Sequence, residues 1–220
     1  MKYGRVNFEY ALDMGSRAPE NDGPIYMLNW MKYHEVAKYD SGDGPAISGK
    51  EADNRYAPFE VLEKIGAKPA FIGDVVAQSC AGEWDRMAIV CYATRKSFID
   101  MQNRTDFKEK HVHKEAGMLY TICQGCLPSQ AHPDIKRRRY VTFELTAGPQ
   151  SGSVSADVAR LDVEGTVLGD GRVWTDLTMT WSDAIPEVPT LERGSDRMVV
   201  VAEAQTDWMG RLLSGTGATR

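Results

Sequence analysis

The sequence lacks the features that mark several large classes of protein. None of its 220 residues belongs to an unbroken apolar run of the length that a membrane span needs, about 20 residues. The first ten residues carry Lys2, Arg5 and Glu9 and no apolar core, which argues against a secretory signal. Four cysteines are too few for a disulfide scaffold in a chain of this length. We therefore expect a cytoplasmic protein with reduced thiols and no membrane association.

Positive charge is also scarce, and the common nucleotide and hydrolase motifs are missing. The formal net charge is −5, whereas a nucleic-acid-binding surface needs clustered Lys and Arg. The one basic run, at 136–139, is explained by a solvated linker. The chain has no Walker loop and no G-x-G-x-x-G, H-E-x-x-H or G-x-S-x-G motif. These absences argue against nucleic-acid partners, nucleotide-driven chemistry and the common hydrolase mechanisms.

The first half of the chain alternates strand-like and helix-like segments. Apolar, β-rich runs predict strands over 24–31, 70–77, 83–93 and 118–127. A capped apolar stripe that includes Tyr56 predicts a helix over 48–66, in which Pro58 must introduce a kink or mark the true start. Further helices are predicted after Thr94 and over 105–115. This order matches an antiparallel sheet with helices on one face. Because the other sheet face is apolar too, a second copy or the rest of the chain must bury it.

The second half predicts a smaller, β-rich domain. Strands are predicted over 140–145 and 197–204, and a hairpin over 159–181 turns at a Gly-Asp-Gly sequence. A short helix is predicted after Thr206 or Asp207. The predicted organisation is an N-terminal extension 1–22, an α+β domain 23–129, a linker 130–139, the β-rich domain 140–214 and a tail 215–220.

Five short segments of the first half resemble one superfamily. They are PIYMLNWMKY at 24–33, RYAP at 55–58, GDV at 73–75, WDR at 84–86 and FKEKHVHKEAG at 107–117. Together they resemble the dimeric α+β barrel superfamily, and within it a group of unknown function akin to cofactor-free antibiotic-biosynthesis monooxygenases and stress-responsive barrels. The resemblance covers 23–129. It implies a ferredoxin-like β-α-β-β-α-β unit whose exposed sheet face pairs with a second sheet in a homodimer, and a small-molecule cavity between sheet and helices.

Two histidines on the predicted 105–115 helix are the first candidates for acid–base chemistry. A neutral imidazole beside a cavity can shuttle protons, and we favour His113 as the catalytic group, with His111 second. On a helix the two side chains are about 200° apart, so they cannot readily share a metal ion. The structural alternative is that one of them packs at the helix end. Asp74 is the candidate carboxylate base, with a role as a turn or bulge residue as its alternative.

Polar and aromatic residues of the predicted strands are candidates for binding a substrate. Trp84, Arg86 and Tyr92 share one face of the third strand if the alternation is regular. Arg86 could hold a carboxylate or enolate, and Tyr92 could donate a hydrogen bond. Asn29, in an apolar strand, needs a partner if it is buried, and Tyr56 belongs to the apolar stripe of the first helix. The structural alternatives are dimer contacts and hydrogen bonds to neighbouring loops.

The pair Cys123 and Cys126 matches C-x-x-C, but its spacing places the two thiols on opposite faces of a strand. This arrangement argues against a redox pair and against a zinc site. We therefore expect no metal and no cofactor. The leading hypothesis is a cofactor-independent monooxygenase, isomerase or cyclase that acts on a small hydrophobic or aromatic molecule by acid–base chemistry. The alternatives are a non-catalytic small-molecule-binding or oligomer-forming protein of the same fold, and a haem- or metal-binding barrel.

Overall fold

The structure, a computed structural model, describes residues 4–40, 42, 44–148 and 153–214. The predicted tail 215–220 therefore lies outside the described residues. The strands are β1 (Arg5–Val6), β2 (Ile25–Tyr33), β3 (Lys68–Gln78), β4 (Arg86–Tyr92), β5 (Met118–Pro128), β6 (Tyr140–Thr146), β7 (Val158–Gly169), β8 (Asp176–Ser182) and β9 (Arg197–Asp207). The helices are α1 (Phe8–Ser16), α2 (Gly49–Tyr56), α3 (Phe59–Lys64), α4 (Arg95–Met101), α5 (Thr105–Gly117) and α6 (Met209–Ser214).

The local signals in the sequence account for most of these boundaries. Ser48 begins α2, because its side chain accepts a hydrogen bond from the Glu51 N–H at 3.1 Å. Pro58 separates α2 from α3, so the predicted helix over 48–66 is two helices. Gly66 follows α3 with a φ of 71°, a left-handed conformation that glycine adopts without steric cost.

All strands join one antiparallel sheet that closes on itself. The strand order is β1-β7-β5-β2-β4-β3-β9-β6-β8, and β8 also pairs with β7. Strands β2 to β9 therefore form a closed eight-stranded barrel, and β1 is an extra strand beside β7. Segments 23–129 and 140–214 each contribute four strands to this barrel. Closure leaves none of these eight strands with an open edge.

The predicted ferredoxin-like fold and the resemblance to the dimeric α+β barrel superfamily are wrong. The chain forms a closed eight-stranded antiparallel β-barrel. The elements of 23–129 follow one another as predicted, but β3 pairs with β9 and β5 pairs with β7, so their strands belong to a larger sheet. The second half of the chain buries the apolar sheet face that the sequence left uncovered. A second copy is not needed for closure, and the homodimer stays a prediction.

Large side chains fill the barrel interior. The rings of Trp30 and Trp84 lie 5.8 Å apart, and those of Phe71 and Phe143 lie 5.0 Å apart, so both halves of the chain contribute to one core. Each of these side chains contributes about 1.5–3 kcal/mol or more through burial. Alternation along β2 turns Leu28 and Trp30 into this core and Asn29 to the outer face of the barrel.

Helices α1 to α5 cover part of the outer face of the barrel. A second apolar cluster forms there between helices and outward-facing strand residues, with Met14 of α1 and Met101 of α4 among its members. Helix α2 packs closely on α5, because Gly49 and Gly117 leave room for the two backbones. Within the described residues, every helix is too short or too polar to cross a membrane.

Candidate functional site

A cavity of about 680 Å³ lies between the outer face of the barrel and the helices. Side chains of the barrel wall form one side: Asn29, Arg86, Ala88, Val90 and Tyr92. Helical side chains form the other: Tyr56, Leu62, Met101, Phe107 and His111. The volume lies in the range of about 300–1,000 Å³ that is typical of small-molecule sites. Most of the lining is apolar, and a few polar groups reach it from both sides.

Arg86 is the centre of a buried polar network at the barrel wall. Its Nε donates to Asp74 Oδ1 at 3.0 Å, and its Nη1 donates to Asn54 Oδ1 at 2.8 Å and to Asp53 Oδ2 at 3.4 Å. The Tyr33 hydroxyl donates to the same oxygen of Asp53 at 2.6 Å. Burial lowers the pKa of Arg86, but Tyr33 and the two carboxylates raise it by a larger amount. The pKa of Arg86 therefore lies above its ordinary value. Arg86 is therefore a permanent cation whose charge is already balanced.

Asp74, the predicted base, is held by three donors. Besides Arg86, Lys50 Nζ donates to Asp74 Oδ2 at 2.7 Å and Gln205 Nε2 donates to the same oxygen at 2.6 Å. Burial raises the pKa of Asp74, but the hydrogen bonds from Lys50 and Arg86 lower it below its ordinary value. A carboxylate stabilised in this way is a weak base, and Asp74 is not part of the cavity lining.

The two candidate histidines lie on different sides of α5. His111 lines the cavity, where its ring stacks on Phe107 with the centroids 5.2 Å apart. Burial lowers the pKa of His111 to about 4, with a further contribution from Lys114, so its imidazole is neutral at pH 7. His113 lies outside the lining, and its Nδ1 is hydrogen-bonded to the Tyr39 hydroxyl at 2.8 Å. Of the two, only His111 is placed to meet a bound molecule.

Lys114 is a cavity residue that the reasoning from sequence missed. Its Nζ lies 5.0 Å from the centroid of the Tyr56 ring, a cation–π contact. It forms no salt bridge with any residue that the structure describes. The helical period contains the signal: Phe107, His111 and Lys114 recur at i, i+4 and i+7, so they share the face of α5 that meets the cavity.

Asn29 and Tyr92, two of the predicted substrate-binding residues, line the cavity. The Asn29 Nδ2 donates to the backbone oxygen of Met27 at 3.2 Å, and no described residue donates to its Oδ1. The Tyr92 hydroxyl donates to the Met101 sulfur at 3.8 Å, and burial raises its pKa well above the ordinary value. Asn29 is therefore available to a ligand as an acceptor, whereas Tyr92 is buried in the lining with its hydroxyl on a thioether.

Trp84 lies inside the barrel and not in this cavity. The strand predicted to begin at residue 83 begins at Arg86, so the alternation does not extend back to Trp84. Its ring packs against Trp30 and Tyr120, at centroid distances of 5.8 and 5.1 Å. The prediction that Trp84 shares a face with Arg86 and Tyr92 is therefore wrong.

The cysteine pair is divided between the two sides of the barrel wall. Cys123 faces the cavity, and Cys126 belongs to the core of the barrel interior, in line with the predicted opposite faces. Burial raises the pKa of the Cys123 thiol to about 12, so it is not a reactive thiolate. In the part of the chain that the structure describes, no three His, Cys, Asp or Glu side chains are grouped as metal ligands.

A second cavity of about 660 Å³ lies where the start of β5 meets the end of β7. Trp84, Tyr120 and Arg172 line it. The Arg172 guanidinium lies 2.7 Å from Asp170 and 3.5 Å from Glu83, so its charge is balanced within the protein. The cavity beside the helices has mostly apolar walls and is the better candidate for a ligand site.

Two solved structures are similar to part of the chain. The crystal structure of the methylated RPA0582 protein is 24% identical, with a TM-score of 0.47, over 57% of this chain and 94% of that one. The structure of the RPA0582 protein of unknown function from Rhodopseudomonas palustris is 21% identical, with a TM-score of 0.46, over 57% of this chain and 95% of that one. No protein-family model matches the chain, and no curated protein matches it. The geometry of the cavity is therefore the basis for assigning a function.

Proposed function

We propose that the protein binds a small, mainly apolar molecule in the cavity between the barrel and the helices. The observation that carries this proposal is an apolar space of about 680 Å³ into which a few polar groups converge. Asn29 and Arg86 reach it from the barrel wall, and His111 and Lys114 reach it from α5. Apolar walls supply affinity at about 25 cal/mol per Å² of buried surface, and a few polar groups set orientation.

Non-catalytic binding has more support than acid–base catalysis by Asp74 or His113, two of the catalytic residues predicted from the sequence. Asp74 is paired with Arg86 and Lys50, which makes it a weak base. His113 lies against Tyr39 and outside the cavity lining. Acid–base catalysis needs a group within reach of the substrate and with a pKa near the working pH. The non-catalytic binding protein is therefore the first candidate.

A neutral aromatic probe tests the binding proposal. Ala88 lies on β4 and faces the cavity, so Ala88→Phe should fill part of the space. We expect the natural protein to bind 1-naphthaleneacetamide at one site in a calorimetric titration, and Ala88→Phe to weaken binding by about tenfold or more. The control Ala184→Phe, at an exposed position outside the lining, should keep the natural affinity. Equal affinity in all three proteins, or no binding to the natural protein, would contradict the proposal.

Cofactor-independent chemistry on the bound molecule is the second candidate. It is favoured by one observation: His111 presents a neutral imidazole to the cavity, with its pKa lowered to about 4 by burial and by Lys114. This imidazole is within reach of a ligand and can accept its proton, but its lowered pKa makes it a weaker base than an ordinary histidine. A reaction on a ligand found by binding should be lost in His111→Gln while the affinity for that ligand is kept. Unchanged turnover in His111→Gln would eliminate this candidate.

We further propose that the protein works in the cytoplasm. The four cysteines are free thiols, which supports a reducing compartment. Cell fractionation checks this proposal, and recovery of the protein from a secreted fraction would contradict it.

A further inference from the structure

We infer that the ligand of the outer cavity carries a carboxylate, which binds Lys114, while the rest of the molecule lies against the apolar wall. This inference rests on the proposed binding function, and it adds the chemical class of the ligand.

Four charged groups of the polar network around Arg86 balance one another. Arg86 pairs with Asp74 at 3.0 Å and with Asp53 at 3.4 Å, and Lys50 pairs with Asp74 at 2.7 Å. Arg86 also donates to Asn54 at 2.8 Å, so two of its three nitrogens are already used. A ligand anion that binds Arg86 must compete with carboxylates that are held in place. This network is therefore a fixed part of the wall.

Lys114 differs from Arg86 and Lys50 because no carboxylate among the described residues balances its charge. Its ammonium lies 5.0 Å from the centre of the Tyr56 ring, and Tyr56 lines the same cavity. The neighbouring imidazole of His111 is neutral, because burial and the charge of Lys114 lower its pKa to about 4. Among the described residues, the lining of this cavity therefore contains one positive charge that no carboxylate balances, in a protein whose net charge is −5.

One positive charge matches a monoanion. A carboxylate ion bound to an ammonium forms a charge-assisted hydrogen bond, which is about twice as strong as a neutral one. A phosphate monoester, with close to two negative charges at pH 7, would leave part of its charge without a partner in apolar surroundings. Leu62, Val90 and Met101 line the same cavity and offer an apolar surface for the body of the ligand. An aromatic or aliphatic monocarboxylic acid fits both features.

A pair of probes with the same shape separates charge from apolar contact. 1-Naphthaleneacetic acid is ionised at pH 7.5, and 1-naphthaleneacetamide is its neutral counterpart. We expect calorimetry to show that the natural protein binds the acid about tenfold more tightly than the amide. In Lys114→Met this preference should fall below about twofold, with the affinity for the amide unchanged.

Lys110→Met is the matched control for the same change on the same helix. Lys110 lies one turn earlier, pairs with Glu60 at 3.6 Å and is not part of the cavity lining, so this variant should keep the natural preference. Equal affinity for acid and amide, or a preference that survives in Lys114→Met, would overturn the inference and leave the proposed function standing. Failure of both probes to bind the natural protein would overturn both.

Discussion

Replacing Arg86 by Met tests whether the polar network of the cavity wall is part of the protein's structure. The side chains of Arg86 and Asp53 are each only 9% exposed, and their charges lie 3.4 Å apart. Removing one partner of a buried ion pair leaves the other charge uncompensated, at a cost of about 3–5 kcal/mol. In the variant, Asp53 still accepts the hydrogen bond from the Tyr33 hydroxyl at 2.6 Å, and Asp74 still pairs with Lys50 at 2.7 Å. We therefore expect the lower end of that range, a loss of about 3 kcal/mol.

Urea denaturation followed by tryptophan fluorescence measures this loss, because Trp30 and Trp84 lie in the barrel core. Arg197→Met is the control: Arg197 pairs with Glu144 at 2.8 Å, but the two side chains are 44% and 26% exposed. We expect that variant to lose less than about 1 kcal/mol. Adding Asp53→Asn to Arg86→Met should recover part of the stability, since the unpaired charge is then absent. If Arg86→Met were no less stable than Arg197→Met, the buried network would contribute no more to stability than an exposed ion pair does.

Three further predictions concern His111, Gly117 and Cys123. The folded-state pKa of His111, about 4, lies below the ordinary value of 6.5, so the unfolded chain takes up the proton first as the pH falls. Between pH 7 and pH 5 the natural protein should therefore lose about 2 kcal/mol more stability than His111→Phe in urea titrations, and equal losses would contradict the burial of His111. A Cβ added at Gly117 would collide with the backbone oxygen of Gly49, so Gly117→Ala should lower the free energy of unfolding by about 2 kcal/mol or more. Gly23→Ala, where no atom lies within 4 Å of the added Cβ, should change the free energy of unfolding by less than about 0.5 kcal/mol. Similar losses in the two variants would refute the close approach of Gly117 to Gly49. The buried thiol of Cys123, with its pKa raised to about 12, should react with an aromatic disulfide reagent only after denaturation, and rapid reaction in the native protein would show that it is accessible.

Local structure could be predicted from the sequence, because its causes lie within a few residues. Ser48 caps a helix through a hydrogen bond to a residue three positions away, and Pro58 ends that helix because it has no N–H. Closure of the barrel could not be predicted in the same way. It depends on which strand edges pair over long separations, such as Gly73 with Ala204, and periodicity does not encode this choice.

The candidate site was predictable only where a single element determines it. Asn29 lies in the cavity because alternation along one strand places it there. The helical period distinguishes His111 from His113 only once Phe107 is known to face inward. Asp74, one partner of Arg86, is its cross-strand neighbour on β3, but Asp53 and Asn54 come from a helix more than 30 residues away, and no pattern near Arg86 reveals them.

The central claim is that the cavity between barrel and helices is the ligand site. The most direct measurement is a crystal structure of the protein with a bromine-labelled 1-naphthaleneacetate, in which the anomalous signal locates the bromine. We expect a single bromine site between α5 and β4, near Val90 and Met101, with the carboxylate beside Lys114 Nζ. Bromine found only in the second cavity, beside Tyr120 and Arg172, or at no ordered position, would contradict it.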